Sequence, residues 1–223
     1  MGNTDRIAKN TIFLYFRSFI VLLISLYTSR VVLQVLGVED YGIYCVVGGV
    51  IGLLTLLTQT MSISYQRFIN VEMGKNSREG VVKVFQLALT TQLLLAIIVV
   101  VLGETIGLWF VVNKLVIPET RLTAAVWVYQ ASIISFVVHI FVAPFGASIT
   151  AYERMGVFAV VSIIDAFLKL GIVFLIQILP GDVLIVYAYL LILVSLIILL
   201  SIIYIANVKY QPQLSNLFGK NQS

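Results

Sequence analysis

At 223 residues the chain has the length of one or two soluble domains, yet 61% of its residues are hydrophobic and only 11% are charged. A soluble fold of this size buries about 70% of the surface that its unfolded chain exposes, too little to hide so much apolar side chain. Disorder, a coiled coil and a nucleic-acid module are excluded as well, because the net charge of +4 comes from 14 Lys and Arg dispersed along the chain rather than gathered in a patch. What remains is an all-α polytopic membrane protein.

A helix needs about 20 apolar residues to cross a hydrocarbon core of roughly 30 Å. Six stretches meet that requirement, giving a six-helix transmembrane lobe over residues 1–207 and a polar tail over 208–223. The spacing predicts spans over Thr11–Leu36, Tyr41–Ile69, Val81–Val112, Leu122–Thr150, Met155–Leu179 and Val183–Asn207. None shows the period-two alternation of a β-barrel strand. Arg6 and Lys9 ahead of the first apolar run resemble a secretory leader, but the run is too long for one and contains Arg17 and Arg30, so it reads as an uncleaved helix.

Basic residues set the orientation. Arg6, Lys9, Arg67, Lys75, Arg78, Lys83, Arg154, Lys209 and Lys220 fall on one side of the six spans. The other side carries only Lys114 and Arg121, together with Glu39, Asp40, Glu119 and Asp182. With six crossings both termini are expected in the cytoplasm. Tyr41, Tyr44, Trp109, Phe110, Trp127 and Tyr129 stand near outer helix ends, and Tyr65 and Phe68 near an inner one, the depth that amphipathic rings prefer.

Several ionisable residues lie inside the spans. A charged side chain at mid-bilayer costs about 3 kcal/mol on insertion scales, so such residues turn toward a bundle interior or a wet cavity. Arg17 and Arg30 have two readings: interfacial anchors whose long side chains reach the headgroups, or cations facing an aqueous cavity and binding anionic groups. Asp165 and Lys169, near the middle of the fifth span, are four residues apart and so share a face. They form either a neutralised pair that eases insertion or a polar patch on a cavity wall. His139 is a candidate for a proton relay, set against the plainer role of a hydrogen-bonded packing residue. Glu104, near the outer end of the third span, reads as solvated.

Gly48, Gly49 and Gly52, and again Gly103 and Gly107, are small-residue patches of the kind that let helix backbones approach. Pro144 and Gly146 predict a kink in the fourth span, with a hinge role as a hypothesis. The lone Cys45 excludes a disulfide framework, and no zinc spacing, catalytic triad, phosphate loop or dinucleotide fingerprint occurs, so neither an enzyme nor a cofactor is implied.

The opening stretch carries a further signal. Lys9-Asn10-Thr11, Leu26 to Leu33 (Leu-Tyr-Thr-Ser-Arg-Val-Val-Leu), Leu36 to Tyr44 (Leu-Gly-Val-Glu-Asp-Tyr-Gly-Ile-Tyr), Val46 to Val50 and Gln66-Arg67-Phe68 resemble the start of bacterial polysaccharide and lipopolysaccharide biosynthesis flippases. These are Wzx-like members of the multidrug/oligosaccharidyl-lipid/polysaccharide exporter superfamily. The likeness is strongest from residue 9 to about 75, moderate through Tyr152-Glu153-Arg154, and rests on helix count beyond. Gly37 and Gly42 suit a tight turn between the first two spans.

The resemblance implies a MATE-like N-terminal lobe in the cell inner membrane and a cationic cavity for the pyrophosphate of an undecaprenyl-linked glycan, moved between leaflets by alternating access. By position, Arg17 and Arg30 are its candidate cavity cations, with Arg67 in the corresponding place at the inner end of the second span. Family members have two such lobes, so the chain is expected to be a truncated reading frame, with a split transporter or a homodimer of half-transporters as alternatives. Two other functions compete: a drug or cation exporter of the same fold, and a non-transporting scaffold for glycan-assembly enzymes.

Overall fold

The computed structural model describes residues 3–52, 54–152 and 155–214. Among them every regular element is helical: α1 (Asn3–Gly52), α2 (Thr55–Gly74), α3 (Arg78–Leu102), a π-helical turn (Gly103–Gly107), α4 (Leu108–Asn113), α5 (Glu119–Ile140), α6 (Val142–Ala151), α7 (Met155–Leu175) and α8 (Val183–Leu214). Five of the resulting rods are long and apolar enough to cross a membrane: Leu14–Gly49, Arg78–Asn113, Glu119–Ala151, Gly156–Leu175 and Val183–Ala206. The chain is therefore a polytopic, all-α membrane protein. Glu153, Arg154 and residues 215–223 of the expected tail lie outside the described residues, as do the side chains of Arg6, Lys9 and Lys209. Helix α8 continues through 208–214, so the backbone does not change character at Asn207.

The first rod is not straight. Gly37 has φ 78° and ψ 171°, a conformation open essentially to glycine alone, and it divides α1 into residues 3–36 and 38–52. In an unbroken helix Thr28 and Tyr44 would stand roughly 24 Å apart at 1.5 Å per residue. Both line one cavity of about 270 Å³, together with Ser29 and Tyr41, so the chain doubles back at Gly37. Gly42, by contrast, sits within the helix and takes no special conformation.

The expected second span, Tyr41–Ile69, is two helices rather than one, interrupted between Gly52 and Thr55. Three glycines just before the break weaken helix propagation. On its far side local bonds replace the regular ladder: Thr55 Oγ1 donates to the Gly52 carbonyl at 2.6 Å and Leu57 N to the Leu54 carbonyl at 3.1 Å.

Packing registers can be read from individual contacts. Arg17 lies over the Phe158 ring, and Ser25 and Thr28 share a cavity with Ala166 and Lys169. Equal sequence steps along both helices mean that the first limb of α1 runs parallel to α7. At one end of the bundle Arg121 joins the turn after Gly37 to the start of α8: it binds both carboxylate oxygens of Asp40 and lies 2.6 Å from Asp182 Oδ2. Asp182 also accepts the α8 amide of Leu184 at 3.0 Å, capping that helix. Toward the opposite end Phe85, Phe145, Ile149, Val161, Ile202 and Ala206 form an apolar cluster that ties α3, α6, α7 and α8 together.

Candidate functional site

Polar side chains converge on a cleft bounded by both limbs of α1 and by α5, α7 and α8. Helix α7 supplies its floor. Phe158, Ser162, Asp165 and Lys169 recur at steps of four, three and four, which places them on one face. Lys169 Nζ donates to Asp165 Oδ2 at 2.8 Å, with side chains 45% and 29% exposed. Three cavities meet at Lys169. One, of about 270 Å³, lies toward the clasp end and includes Tyr41, Tyr44 and Tyr187. A second, of about 240 Å³, is bounded by Gly48, Gly52, Ser135, His139 and Ser195. The third, of about 160 Å³, holds Asp165 between His139, Ser162 and Ser195. Tyr44 and Tyr187 meet edge to face at 5.3 Å beside the first two.

Arg17 closes the track at its other end. Its guanidinium carbon lies 4.7 Å from the Phe158 ring centroid, a cation–π contact. Among the described residues it has no acidic partner, and its Nε is buried without a hydrogen bond. Along this α7 face the cleft thus carries one neutralised ammonium–carboxylate pair and one guanidinium with no acidic partner among the described residues, a net positive balance. Such a surface attracts an anionic group and repels a cation.

The structure therefore brings Arg17, His139, Asp165 and Lys169 together and leaves Arg30 and Arg67 apart. Arg30 and Arg67 are both exposed, and neither lines the cavities around Lys169. His139 is exposed on two cavity walls and makes no hydrogen bond among the described residues, which does not fit a bonded packing role. Glu104 is exposed and accepts a bond from Gln130 Nε2 at 2.9 Å.

The fourth span is interrupted at Phe141, three residues before Pro144. Pro144 thereby falls in the first turn of α6, where its missing N–H leaves no bond unmade. Ser148 and Thr150 return their hydroxyls to the carbonyls of Pro144 and Gly146, at 3.0 and 2.8 Å. Ser62 of α2 reaches the Ala143 carbonyl at 3.4 Å.

The two glycine patches differ: at Gly103 and Gly107 the missing side chains let Tyr129 and Ile133 of α5 close in, as expected of small residues, whereas Gly48, Gly49 and Gly52 meet no neighbouring helix. Nothing stands within 4 Å of a Cβ built at Gly48, Gly49 or Gly52, and Gly48 and Gly52 face the cleft. Gly103 and Gly107 flank the π-helical turn, whose Gly103 carbonyl accepts the Tyr129 hydroxyl at 2.8 Å, while a Cβ at Gly107 would lie 1.9 Å from that oxygen.

Sequence reasoning missed Arg121, Tyr44, Tyr187 and Ser135. Arg121 had a legible signal, being one of two cations on an otherwise acidic side. The others are polar groups on uniformly apolar helices and carry none. The largest of these recesses, about 570 Å³, is a different kind of place: an apolar groove between α7 and α8, lined by Gly156, Val160, Ile164, Ser201 and Tyr204, whose α7 residues turn away from the polar face. No family model, no curated protein and no solved structure matches the chain.

Proposed function

We propose that the chain is the N-terminal lobe of a flippase that carries a lipid-linked oligosaccharide across the bacterial inner membrane for lipopolysaccharide or polysaccharide assembly. The observation that carries this reading is the gathering of His139, Asp165 and Lys169 on cavity walls, with Arg17 stacked on the Phe158 ring that lines one of them. An anchor or scaffold has no use for ionised groups at that depth, whereas a translocator needs them to replace the water lost by an anionic headgroup. The sequence likeness of residues 9–75 to Wzx-like flippases supports the same reading.

In this account the two limbs of α1 belong to separate crossings, with residues 38–52 and α2 together making the second. The clasp joining Asp40, Arg121 and Asp182 supports that topology, since three alternate connections come together at one end. Six crossings with the basic connections inside put both termini in the cytoplasm. The cleft is open on one side, and its cover is a second six-helix lobe, from another chain or another copy. Substrate passes by alternating access, the cations holding the diphosphate in both states. Lys169 exchanges Asp165 for the substrate anion, and Arg17 meets it without giving up a partner.

The test is glycan export in cells that depend on this chain. Arg17→Gln and Lys169→Gln should each abolish export while the protein accumulates normally in the membrane. Undiminished export by both variants would overturn the reading in favour of a scaffold.

A further inference from the structure

Two ionised groups inside the apolar rods, Arg30 in Leu14–Gly49 and Glu104 in Arg78–Asn113, take no part in the cleft. Their depth follows from their neighbours. Thr28, Ser29 and Val32, on either side of Arg30, share a cavity with Lys169. Glu104 accepts from Gln130, and Val128 and Ser132, on either side of Gln130, share another cavity with Lys169. The two charges are therefore level with Lys169, and with each other, to within about one helical turn.

Both are exposed. Leu26 and Leu33, a turn to either side of Arg30, and Val100, Trp127 and Ile134, around Glu104 and Gln130, are exposed apolar side chains of the kind that meets lipid. Arg30 makes no hydrogen bond or ion pair among the described residues. Glu104 has a neutral amide on Oε2, at 2.9 Å, and no cation. The π-helical turn that carries it is held by the Tyr129 hydroxyl on the Gly103 carbonyl, and such turns recur at functional sites. An ionised side chain at that depth is costly until it is paired.

We infer that Arg30 and Glu104 are the two halves of a contact between copies of this chain, the guanidinium of one copy meeting the carboxylate of another inside the membrane. Opposite charge, equal depth and outward exposure suit such a contact, and every copy supplies both halves. A lipid phosphate would serve Arg30, whose long side chain can climb to the headgroups, but would leave the short Glu104 in hydrocarbon. Within the chain, Arg17 lies on the Phe158 ring and Lys169 on Asp165, so neither is the cation that Glu104 lacks. The contact is separate from the cleft and holds whether or not the chain moves a lipid.

The experiment uses the full chain in a Cys45→Ser background, as two differently tagged copies in one membrane. Leu26→Cys and Val100→Cys each stand one turn from a charge, on the same side, and leave both charges in place. Leu26→Cys in one copy should be joined to Val100→Cys in the other by a short, membrane-permeant bifunctional thiol reagent. Leu26→Cys with Leu193→Cys, on an exposed apolar face of α8, should not be joined. Co-purification of the two tagged copies gives a second measure. Arg30→Glu or Glu104→Arg alone should weaken self-association about tenfold, the worth of roughly one polar contact between membrane helices. The two variants, each failing alone, should associate with each other, which also shows that both fold. A cross-link no stronger than that to Leu193→Cys, or single variants that self-associate as well as the wild-type chain, would overturn the contact and leave Arg30 to a lipid phosphate.

Discussion

Asp165 and Lys169 are where composition and geometry meet. Two ionised groups in mid-span are tolerable only as a pair or in contact with water; the 2.8 Å contact supplies the pair, and on the proposed reading the cleft supplies the water. Their coupling is accordingly small. In a double-mutant cycle with Asp165→Asn and Lys169→Met, equilibrium unfolding in micelles should give no more than about 1 kcal/mol of interaction, as for solvated ion pairs. A coupling several times larger would mean a dry site. Tyr129 gives a second residue-scale case. Its hydroxyl occupies the space that a side chain at Gly107 would need, so Gly107→Ala should cost about 1–3 kcal/mol in the same assay. Neutral stability would show that the π-helical turn adjusts freely. Of these features only the ion pair was legible, because a spacing of four is a local property of one helix. The seating of Tyr129 on Gly103 and Gly107 depends on residues about 26 positions apart, and a run of aliphatic side chains gives no sign of it.

Among the elements, crossings were easier to read than the breaks within them. Hydropathy located the last four apolar stretches to within a few residues, whereas the expected first two, Thr11–Leu36 and Tyr41–Ile69, fall on one long apolar rod, Leu14–Gly49, and on α2, which is not among the five membrane-length helices; Gly37 announced the turn after the first limb of α1. Pro144 likewise announced a broken fourth span, although the interruption falls at Phe141, where the chain can place the proline in a helix's first turn. The break after Gly52 went unseen because three glycines in an apolar stretch also read as close packing. Rotation was harder still. Helices apolar on every side have no polar face to orient them, which is why Arg30 and Arg67 could not be told apart from Arg17 until the packing of α1 on α7 was known. The element-scale prediction concerns Pro144. Pro144→Ala restores a donor for the Ile140 carbonyl and allows α5 and α6 to fuse. Amide exchange should slow around residues 140–145, stability should hold or rise by about 1 kcal/mol, and export should fall several-fold if the two helices move against each other. Unchanged export with slowed exchange would assign the break to packing alone.

At the scale of the whole molecule, the clasp at one end and the apolar cluster toward the other hold the helices around an interior that is partly polar. Arg121 bridges Asp40 and Asp182 with all three side chains less than a third exposed. Arg121→Gln should cost about 2 kcal/mol, because charge-assisted bonds are lost and two carboxylates are left facing each other. The end of the bundle where α5 and α8 begin should then gain amide exchange ahead of the rest. An unchanged melting temperature would show that the apolar packing alone sets the arrangement. The central claim, however, is that the cleft around Lys169 is wet, and labelling of introduced cysteines tests it most directly. In a Cys45→Ser background, with the chain in native membranes, His139→Cys and Ser195→Cys, on the cleft walls, should react with a small hydrophilic maleimide, while Leu193→Cys, on an exposed apolar face of α8, should not. Labelling at Leu193→Cys with none at His139→Cys and Ser195→Cys would contradict the account, because the polar track would then be sealed from water.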